Sequence, residues 1–226
     1  EPADLAARVA LLTGGRVNIG YQAGLKLLRA GAHLVATTRF PRDSAMRYAR
    51  EADFASWSDR LEIFGLDLRH TPSVEAFCHL LLTRNDHAQR LDFIVNNACQ
   101  TVRRPPEFYR HMMELEVAAF DSLDERHRRL LQSYEALRDS RRMSESQAEA
   151  GAMAASGAPE RSLAAGAGGV GLAYAAELSQ VALLPEELAP EPGLFPAGLL
   201  DQDLQQVDLR GRNSWRLGLA EVSTVE

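Results

Sequence analysis

The feature that most constrains this chain is the run Thr13-Gly14-Gly15-Arg16-Val17-Asn18-Ile19-Gly20. It follows a short apolar stretch, Arg8 to Thr13, that reads as a buried strand. It opens a segment from Ile19 to Ala30 with Ile19, Ala23, Leu27 and Ala30 at helical spacing, which Gly31 stops. A glycine-rich turn from strand into helix aims backbone N–H groups at one point, where the helix dipole also favours negative charge. Glycines there let the backbone approach a pyrophosphate closely. A tight turn without a ligand would use the same residues, so the context has to carry the reading.

That context is a repeated alternation. His33 to Thr38 reads as a second strand, and a turn at Pro41 leads into a helix from about Ser44 to Ala52. Leu61 to Leu66 is a third strand. Thr71-Pro72 opens the next helix, with the threonine hydroxyl as its cap and Val74, Phe77, Leu81 and Leu82 as its apolar stripe. Leu91 to Val95 is a fourth strand. Such continuous apolar strands alternating with helices predict an α/β fold, a Rossmann-like doubly wound parallel sheet covered on both faces.

Beyond Arg103 the pattern breaks at Pro105-Pro106. Phe108 to about Arg142 is helix-rich and charged, with apolar positions at Leu115, Ala118, Ala119, Leu123, Leu130, Leu131, Tyr134 and Leu137. Residues 148–171 are mostly Ala, Gly and Ser, a linker-like composition. Leu172 to Leu184 has helical character, and 185–198 reads as an extended proline-rich loop. Regular pattern returns near Val207, and Ser214 to Val225 reads as a helix. The expected organisation is a Rossmann core over 1–104, a helical and Ala/Gly/Pro-rich insertion over 105–206, and a return to the core over 207–226. The chain starts at Glu1 and ends at Glu226 without a helix stop, so it reads as a segment of a longer protein.

Composition narrows the partners. At 226 residues, roughly 150 per domain gives one domain with a large insertion, or two. The net charge of -6 argues against a nucleic-acid binder that relies on a basic field. No apolar run is long enough for a membrane span. Two cysteines, Cys78 and Cys99, are too few for a disulfide scaffold, which points to a cytoplasmic location.

The glycine loop resembles the Thr-Gly-x-x-x-Gly-x-Gly fingerprint of the short-chain dehydrogenase/reductase family. Three further features agree: Asp67 in Leu66-Asp67-Leu68, Asn96-Asn97-Ala98 after the fourth strand, and Trp215 to Val222, similar to the tryptophan-containing start of that family's next helix. The resemblance covers about residues 5–104 and 207–226. It departs at Asn18, which replaces the middle glycine of the fingerprint, and at Cys99, which replaces the last glycine of Asn-Asn-Ala-Gly. Asparagine tolerates positive φ, so the turn is compatible with it. The resemblance implies strand order 3-2-1-4 and a cofactor site built from Thr13, Gly14, Arg16, Asn18, Ile19, Gly20, Arg39, Asp67, Leu68, Asn97 and Ala98, with no metal.

The second strand ends Thr37-Thr38-Arg39, where an acidic residue would favour NAD and an arginine the 2′-phosphate of NADP. NADP(H) is therefore expected over NAD(H), with Arg39 and Arg16 as phosphate ligands. The competing reading pairs Arg39 with Asp43 on the surface.

The family's chemistry resembles general acid catalysis by a tyrosine with a lysine four residues on. Lys26 is the single lysine among 25 Lys and Arg residues, expected on the exposed side of the first helix. None of Tyr21, Tyr48, Tyr109, Tyr134 and Tyr174 has a lysine at that spacing, so this chain supplies no catalytic pair. Two functions follow. One is an NADP-dependent oxidoreductase acting on a small-molecule carbonyl or alcohol, homo-oligomer or not, with catalysis supplied by a segment absent here and the insertion shaping the substrate site. The other is a non-catalytic nucleotide-binding or protein-interaction module.

Other signals weigh less. Gly166 to Gly171 matches a glycine fingerprint but follows no strand, so low-complexity chance explains it. Arg103-Arg104 near the crevice reads as salt-bridged more readily than as an anion site. Cys78-His79 lacks further ligands for a metal, and Cys99 is expected buried in a glycine position. Arg126 to Arg129 reads as a solvated helix face.

Overall fold

A computed structural model describes residues 3–84, 90–99, 104–155, 172, 174–182, 187 and 193–211, with the backbone alone for 141–155. Four strands, β1 (Val9–Thr13), β2 (His33–Thr38), β3 (Leu61–Gly65) and β4 (Phe93–Val95), form a parallel sheet in the order β3-β2-β1-β4. Helices α1 (Asn18–Arg29) and α2 (Pro41–Ala49) make the first two crossovers, and α3 (Thr71–Thr83) makes the crossover that reverses direction across the sheet. Right-handed crossovers put α1 and α2 on one face and α3 on the other. The Rossmann-like α/β arrangement is thus as expected.

Its core is aliphatic within the sheet and aromatic beside it. Ala10, Leu12, Leu34, Ala36 and Ile63 are buried in the strands, and Tyr48, Phe54 and Trp57 stack edge to face behind them. At the end of α1, Gly31 N–H donates to Leu28 O at 3.0 Å and Ala32 N–H to Leu27 O at 3.1 Å, the Schellman pattern that a glycine stop predicts.

Several local expectations change. The buried face of α1 is Gly20, Gly24, Leu25 and Leu28, one residue round from the apolar positions; Ile19 is 79% exposed. Apolar periodicity could not register glycines as the buried contact. Helix α2 begins at Pro41, not Ser44, because proline suits the first turn, where its missing N–H leaves no bond unmade. Thr71 is the first helical residue of α3 and caps nothing; His70 holds the cap position, and its Nδ1 hydrogen-bonds Ser73 Oγ at 2.6 Å. In the α3 stripe Phe77 is buried and Leu82 exposed. Strand β4 is three residues long, with Phe93 and Ile94 exposed, so the sheet is not covered at that edge among the described residues.

After β4 come α4 (Pro106–Val117), a 3-10 turn at Phe120–Ser122, α5 (Glu125–Ala155) and the short α6 (Ala175–Leu178). Helix α5 packs on β3 and α2 through Leu130, Leu131 and Tyr134, in the same core as the sheet. It extends to Ala155, into the stretch whose composition reads as a linker. Of the helix expected over Leu172 to Leu184, the described residues show Leu172 and α6 as helical and Ser179 to Ala182 as non-helical, and the segment from Val207 to Arg210 has no regular structure. Residues 156–171, including the second glycine run, and 212–226, including the Trp215 helix, lie outside the described residues. No described helix is long and apolar enough to cross a membrane.

Candidate functional site: a cleft at the carboxyl ends of the strands

Strand order reverses between β1 and β4, and a cleft of about 980 Å³ opens there at the strands' carboxyl ends. Open α/β sheets bind ligands at this position because the loops that leave adjacent strands diverge there.

The floor is held by one threonine. Thr13 Oγ1 accepts N–H bonds from Asn97 and Ala98, both at 3.0 Å. The Asn97 amide in turn donates to Thr13 O and Gly14 O, each at 3.1 Å. These bonds join the end of β1 to the end of β4, the two motifs on which the expected site rests. They also explain Gly20: a Cβ there would lie 2.1 Å from Gly14 O and 2.4 Å from Asn97 Nδ2.

Asn18 adopts φ 52°, so the substitution keeps the left-handed turn. Helix α1 then starts with Val17 at its cap, no side chain bonding its first N–H groups and no acid in its first turn. Its positive end faces the cleft without an internal anion.

Gly14, Arg16, Asn18, Ile19, Gly20, Arg39, Asp67, Leu68, Asn97 and Ala98 all line this cleft, and Thr13 lies directly beneath. Cys99 also lines it and is exposed, not buried as expected. Two further walls come from the insertion expected to shape the substrate site and from the residues just after it, although the sequence marked none of them individually. One is Phe108 and Tyr109 of α4, and the other is Asp201 with Gln205 to Asp208. Both come from distant sequence, so only the tertiary fold brings them in.

Four arginines line the cleft, and they differ in their partners. Arg16 is buried and donates to Asp43 at 2.8 Å; burial lowers its pKa, opposed by that carboxylate. Arg69 chelates Asp67, Nη2 at 2.5 Å and Nε at 3.0 Å. Burial alone would raise Asp67, but Arg69 outweighs it and holds the carboxyl below its usual range. Arg104 pairs with Asp208. Arg39 donates to the Tyr109 hydroxyl at 2.7 Å and stacks 4.8 Å over that ring, with no carboxylate at ion-pair distance among the described residues. The alternative pairing of Arg39 with Asp43 is not what the structure has. Asp43 instead binds Arg16 and Arg47.

The expected absence of a tyrosine–lysine pair concerns every tyrosine. Tyr48 and Tyr134 are buried, and desolvation pushes both phenols up; Tyr21 is raised by burial and by its bond to Glu51. Lys26 is exposed on α1. Among the described residues no group of His, Cys, Asp and Glu is arranged to hold a metal ion.

The fold and cleft together define an α/β domain of the Rossmann-like type. No protein-family model matches the chain. A 101-residue stretch is 34% identical to an uncharacterized protein of Acanthamoeba polyphaga mimivirus, spanning 44% of this chain and 22% of that protein. Similar solved structures are short-chain dehydrogenases. They include a metagenomic short-chain oxidoreductase in complex with NADP (26% identity, TM-score 0.37, 61% of this chain and 59% of that one). Another is a short-chain dehydrogenase from Streptomyces avermitilis (25%, TM-score 0.36, 59% and 46%). A third is RhlG of Pseudomonas aeruginosa in an NADP active-site complex (26%, TM-score 0.34, 59% and 52%). The chain thus matches about half the length of these structures.

Proposed function

We propose that this chain is the NADP(H)-binding part of a short-chain dehydrogenase/reductase-type oxidoreductase that reduces a carbonyl or oxidises an alcohol. The observation that carries the reading is a juxtaposition. The uncapped N-terminus of α1 and the guanidinium of Arg39, the one described cleft arginine with no carboxylate at ion-pair distance, face the same cleft; Asp67, chelated by Arg69, acts on Arg39 only from farther off. A pyrophosphate at the helix end and a 2′-phosphate at Arg39 would complete both. Arg16, the other expected phosphate ligand, also lines the cleft but is held by Asp43. When bound, the cofactor supplies hydride chemistry; the chain's own residues bind and orient it. A tyrosine and lysine from a segment outside this chain would move the proton. A small-molecule substrate and a cytoplasmic location belong to the same reading.

The lack of a lysine four residues after any tyrosine, together with the packing of α5 into the sheet's own core, favours a second reading, a non-catalytic nucleotide-binding or protein-interaction module. Calorimetric titration of the protein with NADPH and NADH tests the binding shared by the oxidoreductase and the nucleotide-binding module. NADPH is expected to bind more tightly, with the preference lost in Arg39→Ala. Absence of binding up to about 1 mM, an affinity weaker than about 4 kcal/mol, overturns the dinucleotide reading. Binding without turnover of a broad carbonyl panel favours the module.

A further inference from the structure

We infer that Tyr109, carried by α4 outside the Rossmann core, is a positioning residue that sets the preference for a 2′-phosphorylated nucleotide. This rests on the NADP(H) reading of the cleft. Arginine is a long side chain, and holding it in one rotamer costs conformational entropy unless the protein has already paid it. Here the payment is visible. Arg39 Nη2 donates to Tyr109 Oη at 2.7 Å, and the guanidinium stacks over the rings of Tyr109 and Phe40 at 4.8 and 5.6 Å. Neither contact neutralises the charge, as a carboxylate would. The remaining N–H groups of Arg39 have no protein partner among the described residues, so a planar donor edge stays available to an oxyanion.

Tyr109 is itself fixed from behind. Its ring packs 4.9 Å from Phe40 and 5.0 Å from Phe108. Helix α4 is anchored to α2 by Glu116, whose side-chain oxygens accept backbone N–H bonds from Arg42 at 3.2 Å and Asp43 at 2.9 Å. The rigidity of Arg39 therefore originates in a segment more than sixty residues downstream, and a Rossmann core lacking α4 would present Arg39 as a mobile cation.

The test is a double-mutant cycle on the protein, read by calorimetric titration with NADPH, NADH and adenosine 2′,5′-bisphosphate. Tyr109→Phe keeps the ring and removes the hydroxyl. It is expected to weaken NADPH and the bisphosphate by about 5-fold, the worth of one hydrogen bond, and to leave NADH unchanged. In an Arg39→Ala background the same change is expected to do nothing, which a merely structural role for the hydroxyl would not produce. An unaltered NADPH-to-NADH ratio in Tyr109→Phe, with the ratio collapsed in Arg39→Ala, overturns the inference and leaves the NADP(H) reading standing. Equal loss of NADPH and NADH in Tyr109→Phe also overturns it. A ratio insensitive to Arg39→Ala, or no dinucleotide binding by the wild type, overturns both. Tyr109→Trp, which keeps a stacking face without the phenol, gives the same readout should Tyr109→Phe not fold.

Discussion

Arg16 of the glycine loop and Asp43 of α2 form an ion pair at 2.8 Å with side chains only 8% and 7% exposed. The pair ties the glycine turn to α2, which begins just after Arg39. A buried pair of this kind adds little net stability, but loss of one partner strands the other charge out of water. Asp43→Ala is expected to destabilise the fold by about 3–5 kcal/mol, read by denaturant unfolding. Burial alone would raise the Asp43 carboxyl, yet Arg16 and Arg47 together hold it below its usual range. Its contribution is therefore full above about pH 4 and lost as pH falls through the depressed folded value.

Glu116 titrates in the opposite sense. Burial pushes it up to about 8, against the N–H bonds it accepts from Arg42 and Asp43. The folded protein keeps a proton that the unfolded chain releases near pH 4.5. The stability Glu116 contributes is thus full at or below that pH and declines as pH rises towards 8. A melting series from pH 5 to 8 should show the decline, and Glu116→Gln should flatten it. A wild-type profile flat across that window would show that Glu116 is ionised throughout.

Gly20 leaves no room for a side chain, since a Cβ would meet Gly14 O at 2.1 Å. Gly20→Ala should cost about 1–3 kcal/mol of stability and abolish nucleotide binding. Asn18→Ala, at φ 52°, should cost about 1 kcal/mol, and Asn18→Gly much less.

Gly65, at the end of β3, tests whether α5 is integral to the core. A Cβ there would lie 2.2 Å from the Tyr134 hydroxyl and 2.5 Å from its Cζ. Gly65→Ala should lift α5 from the strand, lowering stability by about 1–3 kcal/mol and opening α5 to proteolysis. Tyr134→Phe, which removes the 2.7 Å bond to Leu172 O, should cost about 1 kcal/mol.

Cys78 and Cys99 are both exposed, but only Cys99 lines the cleft. A thiol reagent should label both in the free protein. NADPH should protect Cys99 and leave Cys78 reactive. Equal labelling of Cys99 with and without saturating NADPH would place the nucleotide elsewhere.

Local signals in the sequence were sufficient for the strand–helix alternation and for a glycine turn compatible with a left-handed Asn18, whereas the strand order and the crevice it places were implied by the family resemblance. The alternation and the turn each depend on backbone preference or apolar pattern within a few residues, and short continuous runs such as Leu34 to Ala36, bounded by turn residues, suit buried parallel strands. The buried face of α1 was not legible, since Gly20 and Gly24 are chosen for what approaches them and not for hydrophobicity. The partners of the arginines were even less so. Whether Arg16 or Arg39 meets Asp43, and whether Tyr109 meets Arg39, depends on how α4 seats on α2 across some seventy residues of chain. Charge pairing at such separation is set by packing geometry, which no local pattern encodes. Tertiary structure alone therefore decided which cleft arginine, among the described residues, has no carboxylate at ion-pair distance.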